Sequence, residues 1–511
     1  MTFSHSEHNV NNPGPSGLGC GSNPGAVAPP HVVVGGGVLD RTETRNGESM
    51  TDKYREIIGR REMYAPSVGF DCDVDDEWLF PFQRHAVRFA LAGGRRALFL
   101  DTGLGKSRMQ LAWADRVCRE TGGRVLILAP LAVGPQTVKE AARVGLDGVV
   151  FSRTLEGTTD ARIVVTNYDS LAHFDASAFA GVVLDESSIL KSFTGSTKVA
   201  LCDAFARTPY RLCCTATPAP NDHLELGNHA EFLGILSSHQ MIARWFITDQ
   251  SQMGTYRLKG HAVRSFWDWV SSWAACAGLP SDLGAYADDG YVLPPLNLIQ
   301  RIVTVDIIDG REDGALFRAA DLSATSVHKE KRRTAAARAA EVAALIAAEP
   351  DEAWLVWCET DYEAVELMAQ IPGAVEVAGS MKPDAKSSRL LAFADTGGVL
   401  VTKPKIAGFG MNWQNCARVV FAGGSYSYEA LYQAVRRAWR FGQTRPVDCY
   451  IVMAATEQHL WSVVSRKSDD HESMKREMFA ASRRAQSRTS AMREYHPNHI
   501  AAVPPWLFNR Q

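Results

Sequence analysis

The segment Leu100-Asp101-Thr102-Gly103-Leu104-Gly105-Lys106-Ser107 constrains this chain more than any other. An apolar run, Arg96–Asp101, leads into it, and an amphipathic stretch from Met109 to Val117 follows. That order predicts a strand, a tight loop and a helix, which is the setting a phosphate-binding loop requires. Gly103 and Gly105 let the backbone turn several N–H groups toward one anion, and the helix N-terminus adds its partial positive charge. In this reading Thr102, Gly103, Leu104, Gly105, Lys106 and Ser107 cradle nucleotide phosphates. Lys106 reaches the β- and γ-phosphates, and Ser107 ligates Mg²⁺. Leu100 stands where the general pattern has glycine, so a chance glycine-rich loop is the competing account.

A second element separates the two accounts. Val182-Val183-Leu184-Asp185-Glu186 reads as a buried strand ending in two carboxylates. Burial of the run places Asp185 at the carboxyl end of a sheet, where ligands collect in open α/β folds. There Asp185 serves the Mg²⁺ shell, and Glu186 orients or deprotonates an attacking water. Loop and acidic pair together point to a nucleotide hydrolase using ATP and Mg²⁺.

The surrounding pattern sets the organisation. A chain of 511 residues exceeds what one core usually supports, so several domains are expected. Residues 1–50, rich in Gly, Pro, Asn and Ser, read as a disordered tail. Between 70 and 235, apolar strands at Arg96–Asp101, Arg124–Pro130, Ala161–Asn167, Ala180–Asp185 and Tyr210–Thr215 alternate with helical stretches. This rhythm predicts α/β architecture with a parallel sheet flanked by helices. A second such block, 326–470, has strands near Ala353–Cys358, Gly398–Thr402, Arg418–Ala422 and Asp448–Met453.

Residues 236–325 read as a helical or irregular linker. Trp245, Trp267, Trp269 and Trp273 there are explained by helix packing more cheaply than by base stacking. The basic tail, 471–511, and the residues just before it carry Arg466, Lys467, Lys475, Arg476, Arg483, Arg484, Arg488 and Arg493. A solvated helix face accounts for them, with a brace against DNA as the alternative. The net charge of −3 does not exclude nucleic acid, because a cleft can concentrate its own Lys and Arg. The ten scattered cysteines contain no Cys-x-x-Cys pair, which fits reduced thiols in a cytoplasm. No run approaches a membrane span.

The second block adds Gly408-Phe409-Gly410-Met411-Asn412 and then Gln433-Ala434-Val435-Arg436-Arg437-Ala438-Trp439-Arg440-Phe441-Gly442-Gln443. Three arginines on one expected helix form a costly positive cluster unless an anion meets it. Arg437 and Arg440, three apart, share a face and can aim two guanidinium groups at a γ-phosphate held by the other lobe.

From about residue 79 to 455 these elements resemble, in order, those of helicase superfamily two, specifically its Swi/Snf-type DNA-dependent ATPases in their compact phage and prophage form. Phe82-Gln83 resembles the adenine-reading element. Ala129-Pro130 and Thr166-Asn167-Tyr168 resemble the DNA-backbone elements of the first lobe. Thr215-Ala216-Thr217-Pro218, with Asn221, resembles the segment coupling ATP to DNA; Thr402 through Asn412 and Gln433 through Gln443 resemble the last two elements. The chain departs at Asp-Glu-Ser-Ser, where Ser188 replaces the usual histidine.

The resemblance implies two tandem RecA-like lobes with ATP and DNA bound in the clefts. It implies a catalytic set of Lys106, Asp185, Glu186, Arg437 and Arg440, with Gln83, Gly410 and Gln433 joining the nucleotide contacts. It places DNA against Pro130, Asn167, Thr215, Thr217, Thr402 and Asn412. The expected activity is translocation on duplex DNA by a monomer, in phage or bacterial replication, recombination or repair and alongside the proteins of those processes. A motor subunit of a restriction or repair complex, or a DNA-binding clamp, is the alternative. Met50 opens Met-Thr-Asp-Lys-Tyr where ordinary composition resumes, so translation is expected to begin there. An intact mass from native expression that retains residues 1–49 would exclude this start.

Overall fold

The computed structural model describes residues 65–130, 133–248, 256–304, 324–407, 412–424 and 427–493, all within a single unit. The disorder expected of residues 1–50 and the role expected of Gly410 lie outside the described residues.

Two parallel sheets organise the chain. The first contains seven strands in the order β3-β4-β2-β5-β6-β1-β9. These are β1 (Arg95–Leu100), β2 (Val125–Ala129), β3 (Val149–Phe151), β4 (Ile163–Asn167), β5 (Gly181–Asp185), β6 (Tyr210–Thr215) and β9 (Ala274–Ala277). Strands β2, β4 and β5 are buried at every residue, as near-continuous apolar runs covered on both faces require. Helices α1 (Pro81–Gly93), α2 (Lys106–Thr121), α3 (Gly134–Arg143), α4 (Ser196–Ala204), α5 (Glu225–Phe232), α6 (Ser238–Trp245) and α7 (Val263–Trp273) flank this sheet or follow it. A small antiparallel hairpin, β7 (Phe246–Thr248) with β8 (Tyr256–Leu258), lies between α6 and α7.

The second sheet has six parallel strands in the order β10-β15-β14-β11-β13-β12. They are β10 (Leu296–Val303), β11 (Trp354–Trp357), β12 (Val375–Val377), β13 (Val399–Thr402), β14 (Arg418–Phe421) and β15 (Val447–Ala454). Its helices are α8 (Ala324–Arg333), α9 (Ala335–Ala348), α10 (Asp361–Gln370), α11 (Pro383–Thr396) and α12 (Tyr428–Val435). The chain then enters one long helix, α13 (Gln458–Arg493).

The stretch 236–325 is not a linker distinct from the lobes. Its β9 completes the first sheet beside β1, with Ala97 paired to Ala274, and its β10 pairs with β15 on the edge of the second. Apolar residues of α7 recur at Phe266, Trp269 or Val270, and Trp273, one helical face. Trp245, Trp267, Trp269 and Trp273 are all buried, Trp245 stacks on Trp269 at 4.6 Å, and Trp273 meets Phe99 of β1 edge-on at 5.7 Å. Packing occupies these rings, as the cheaper reading had it.

Helix α13 corrects a second expectation. It returns to the first lobe, where Met474, Met478 and Ala481 enter the same apolar core as Phe99, Trp267 and Trp273. Cys276 N donates to Ser482 Oγ (3.2 Å), Gln486 Nε2 donates to the Asp282 carbonyl (2.7 Å), and Arg483 pairs with Asp282. Lys475 is buried rather than solvated, because it has a carboxylate to meet. Arg476 is exposed as expected, and the Arg488 and Arg493 side chains lie outside the described residues.

Among the described residues no helix is long and apolar enough to cross a membrane. The second lobe is pinned internally by Arg338, fully buried, which donates to Glu363 (2.8 Å) and Glu457 (2.9 Å). Arg338→Met leaves two buried carboxylates facing each other without their cation. It is expected to cost about 3–5 kcal/mol, read as a lowered urea midpoint.

Candidate nucleotide site

Three strand ends of the first sheet form the site, since β5, β6 and β1 are neighbours and all run the same way. The loop after β1 carries Gly103 at φ 99° and Gly105 at φ 83°, values that favour glycine. A side chain at Gly105 is excluded for a second reason: its Cβ would lie 2.3 Å from Gln83 Nε2. Asp101 N donates to the Ala277 carbonyl (2.9 Å), tying the start of the loop to β9. Lys106 Nζ donates to the carbonyls of Leu100 (2.9 Å) and Asp101 (3.3 Å), inside the curl of the loop. Ser107 follows in the first turn of α2.

Gln83, expected on a base edge, is tied to the loop itself. Its Nε2 donates to the Leu104 carbonyl (2.9 Å) and its Oε1 accepts from Phe80 N (3.0 Å), so the buried amide braces the loop against the start of α1. Aromatic rings line this side of the loop. Tyr291 lies 4.7 Å from Phe441 and 5.5 Å from Phe82 by ring centroids. A Cβ on Gly103 would stand 3.2 Å from Phe441 Cβ, so the second lobe reaches the phosphate loop here.

At the end of β5, Asp185 and Glu186 are held in different ways. Gln110 of α2 donates to Asp185 Oδ1 (2.6 Å), and the Tyr168 hydroxyl donates to the Asp185 carbonyl (2.7 Å). Glu186 has φ 53° and ψ 55°, the left-handed region, which a glutamate occupies only when its surroundings hold it there. Thr215 Oγ1 at the end of β6 donates to Glu186 Oε2 (3.2 Å). Burial pushes both carboxyls upward from their ordinary values, opposed by Lys106 and Arg437. A raised carboxyl is what a proton acceptor working near neutral pH needs.

The second lobe supplies the facing cations, and here the arginine geometry corrects the expectation. Helix α12 ends at Val435, so Arg436, Arg437 and Arg440 lie on the turn that follows it, where neighbouring side chains can diverge. Arg436 turns to Asp101, while Arg437 feels the Glu186 and Asp185 charges. Gln433 orients Arg437: Arg437 Nε donates to the Gln433 carbonyl and Nη2 to Gln433 Oε1, both at 3.2 Å. Burial lowers Arg437 and Arg440 to about 10, with Arg436 and Arg437 adding repulsion at Arg440. Arg437 is buried and Arg440 half-buried, both on the turn that faces the first lobe.

The expected DNA contacts divide. Thr402 Oγ1 donates to the Val377 carbonyl (2.9 Å), and Asn167 Oδ1 accepts from Ser170 N (3.0 Å). Thr215 serves Glu186, and Thr217 is fully buried. The Thr402, Asn167 and Thr215 side chains are engaged within the protein, each at the packed end of a strand, whereas Thr217 Oγ1 is buried with no hydrogen-bond partner among the described residues. Asn412 is exposed and Pro130 half-buried.

Two residues escape a sequence reading altogether. His229 of α5 is fully buried; its Nε2 pairs with Ser187 Oγ (3.1 Å) and its Nδ1 with the Glu225 carbonyl (3.3 Å). It therefore touches the residue after Glu186, next to the position where Ser188 replaces the usual histidine. Set among Glu225, Asn228 and Glu231 on the same helix, this histidine gives no local signal. Lys475, the second, neutralises Asp101 (3.3 Å) together with Arg436.

Among the described residues no group of three or more His, Cys, Asp or Glu side chains builds a metal cage. One carboxylate and one hydroxyl, Asp185 and Ser107, are instead hard oxygen donors of the kind Mg²⁺ takes when phosphates and water complete its shell. No known family model matches the chain, and no curated protein matches it either.

Glu225 gives this region a pH signature. Burial raises its carboxyl from 4.5 to about 7, against hydrogen bonds from Asn221. The folded state then holds a proton that the unfolded state releases, so this contribution to stability is full below pH 4.5 and is lost as pH rises toward 7. Glu225→Gln is expected to flatten that loss: melting temperatures of wild type and variant should diverge in the variant's favour between pH 5 and 8.

Proposed function

We propose that the chain is an ATP hydrolase of the Swi/Snf-type branch of helicase superfamily two, driven by ATP and Mg²⁺ and moving on double-stranded DNA. The observation that carries the reading is the meeting of two charge sets in one buried cleft. The phosphate loop and the pair Asp185–Glu186 come from the first lobe, and Arg437 faces that pair from the second. Burying these groups costs several kcal/mol unless a ligand of matching charge is part of the design.

In this reading Lys106 and the loop N–H groups bind the phosphates, and Ser107 and Asp185 hold Mg²⁺, which offsets phosphate charge. Phe441 and Tyr291 offer ring faces beside the loop for the base. Glu186 accepts the proton of the attacking water, and Thr215 keeps its carboxylate in place. Arg437 and Arg440 stabilise the charge that builds on the transferred phosphoryl group.

Nucleotide state changes what the lobes hold in common, and that difference in binding energy drives their relative motion. The DNA track follows from the resemblance of the loop sequences in both lobes. Contacts with duplex DNA are assigned to backbone groups and exposed side chains such as Asn412, since Asn167, Thr215 and Thr402 are engaged internally. Phage or bacterial DNA replication, recombination or repair, in the cytoplasm, is the setting that goes with this reading.

Steady-state ATP hydrolysis, measured without nucleic acid and with duplex DNA, single-stranded DNA or RNA, tests it. Duplex DNA is expected to stimulate turnover, and Lys106→Ala to abolish it. Arg437→Ala should lower kcat about a thousandfold, as loss of a cation that touches the transferring phosphate does. Stimulation by RNA alone would overturn the branch assignment, and absence of turnover under every condition would overturn the hydrolase.

A further inference from the structure

Asp101 is the acidic residue of the phosphate loop, and three segments far apart in sequence converge on it. Its carboxylate pairs with Arg436 and accepts from the Tyr432 hydroxyl, both of the second lobe. Lys475 of α13 pairs with it at 3.3 Å and donates to the Tyr432 oxygen at 3.0 Å. Thr102 N closes the set at 2.6 Å from Asp101 Oδ1. Arg436 also lies over the Trp439 ring at 4.5 Å, and Lys475 over the Tyr432 ring at 4.8 Å.

These partners are not equivalent. Tyr432 and Arg436 stand on and just after α12 and travel with the second lobe. Lys475 stands on a helix that first packs on the second lobe, where His471 meets the Tyr428 and Tyr432 rings at 5.3 and 5.8 Å, and is then fastened to the first lobe by Met474, Met478, Ser482, Arg483 and Gln486. In a parted arrangement of the lobes, the first-lobe contacts of α13 would keep Lys475 beside Asp101 while Arg436 left with α12. A buried carboxylate left with no cation is costly, and a loop whose first residue bears it would move to find water.

We propose that Lys475 is a positioning residue for the phosphate loop: through Asp101 it holds the loop in its phosphate-ready shape while the lobes are apart. The proposal rests on the nucleotide-hydrolase reading. The helix after the second lobe thereby belongs to the nucleotide site, and its charge acts on substrate capture more than on the chemical step.

The test compares Lys475→Met, Lys475→Arg and Arg476→Ala, the last an exposed neighbour on the same helix. Amide hydrogen exchange of residues 100–107 is followed without nucleotide, and KM for ATP and kcat are measured beside it. Lys475→Met is expected to speed loop exchange and raise KM at least about fivefold with a smaller change in kcat, while Lys475→Arg restores both and Arg476→Ala changes neither. In an Asp101→Asn background, Lys475→Met should change KM less than about twofold, since the two act as a unit.

Wild-type exchange and KM in Lys475→Met, or equal losses in Arg476→Ala, would overturn the proposal. So would additive losses in the double variant. Should Lys475→Met fail to fold, Lys475→Gln takes its place in every comparison. If the wild-type protein turns over no ATP, the hydrolase reading falls, while the exchange comparison still decides whether Lys475 positions the loop.

Discussion

A parallel strand covered on both faces has little room for a polar side chain except near its ends, and this confinement arranges everything of chemical interest here. Strands β1, β5 and β6 lie side by side, so their last residues and the first beyond them fall along one rim: Asp101 through Ser107, Asp185 with Glu186, and Thr215 through Thr217. The second sheet obeys the same rule but meets that rim through a turn, the one carrying Arg436, Arg437 and Arg440. Opposite charges gathered this way and shielded from water interact far more strongly than they would on an exposed surface.

The arginines divide the work of crossing the cleft. Arg436 neutralises a residue of the loop itself, and that contact raises its own affinity for protons in spite of burial. Arg437 and Arg440 are instead depressed, in both cases chiefly by burial. From the turn after Val435, the adjacent Arg436 and Arg437 reach separate partners, Asp101 and the Asp185–Glu186 pair.

Much of the architecture was legible because long apolar runs announce central strands: Tyr210–Thr215 was readable to the residue, and the others to within one or two. What escaped was short, unpatterned or unburied: the eight-residue edge strand β10 has no buried residue to mark it and fell in the stretch read as a linker. Strand β9 is Ala-Ala-Cys-Ala, small side chains with weak strand preference, recruited by the exposed edge of β1. Strands β3 and β12, three residues each, are too brief to show a period. At the site, Lys106, Asp185 and Glu186 could be read from local order alone. Lys475 could not, because a lysine in a charged helix reads as solvent-facing; the faint signal was its place four residues after His471 and three before Met478, both buried. His229 was hidden likewise, since its partner Ser187 is 42 residues away.

The return of α13 to the first lobe also orders events in time. Domains of a growing chain fold as they emerge, beginning with the N-terminal one. Here the apolar core around Phe99 and Trp273 takes Met474, Met478 and Ala481 as members, so synthesis of the first lobe ends long before its core is closed. The ribosome must complete the whole second lobe while that face stays open. A nascent first lobe therefore exposes a tacky surface for most of its synthesis, and the arrival of the final helix turns two half-finished bodies into one protein.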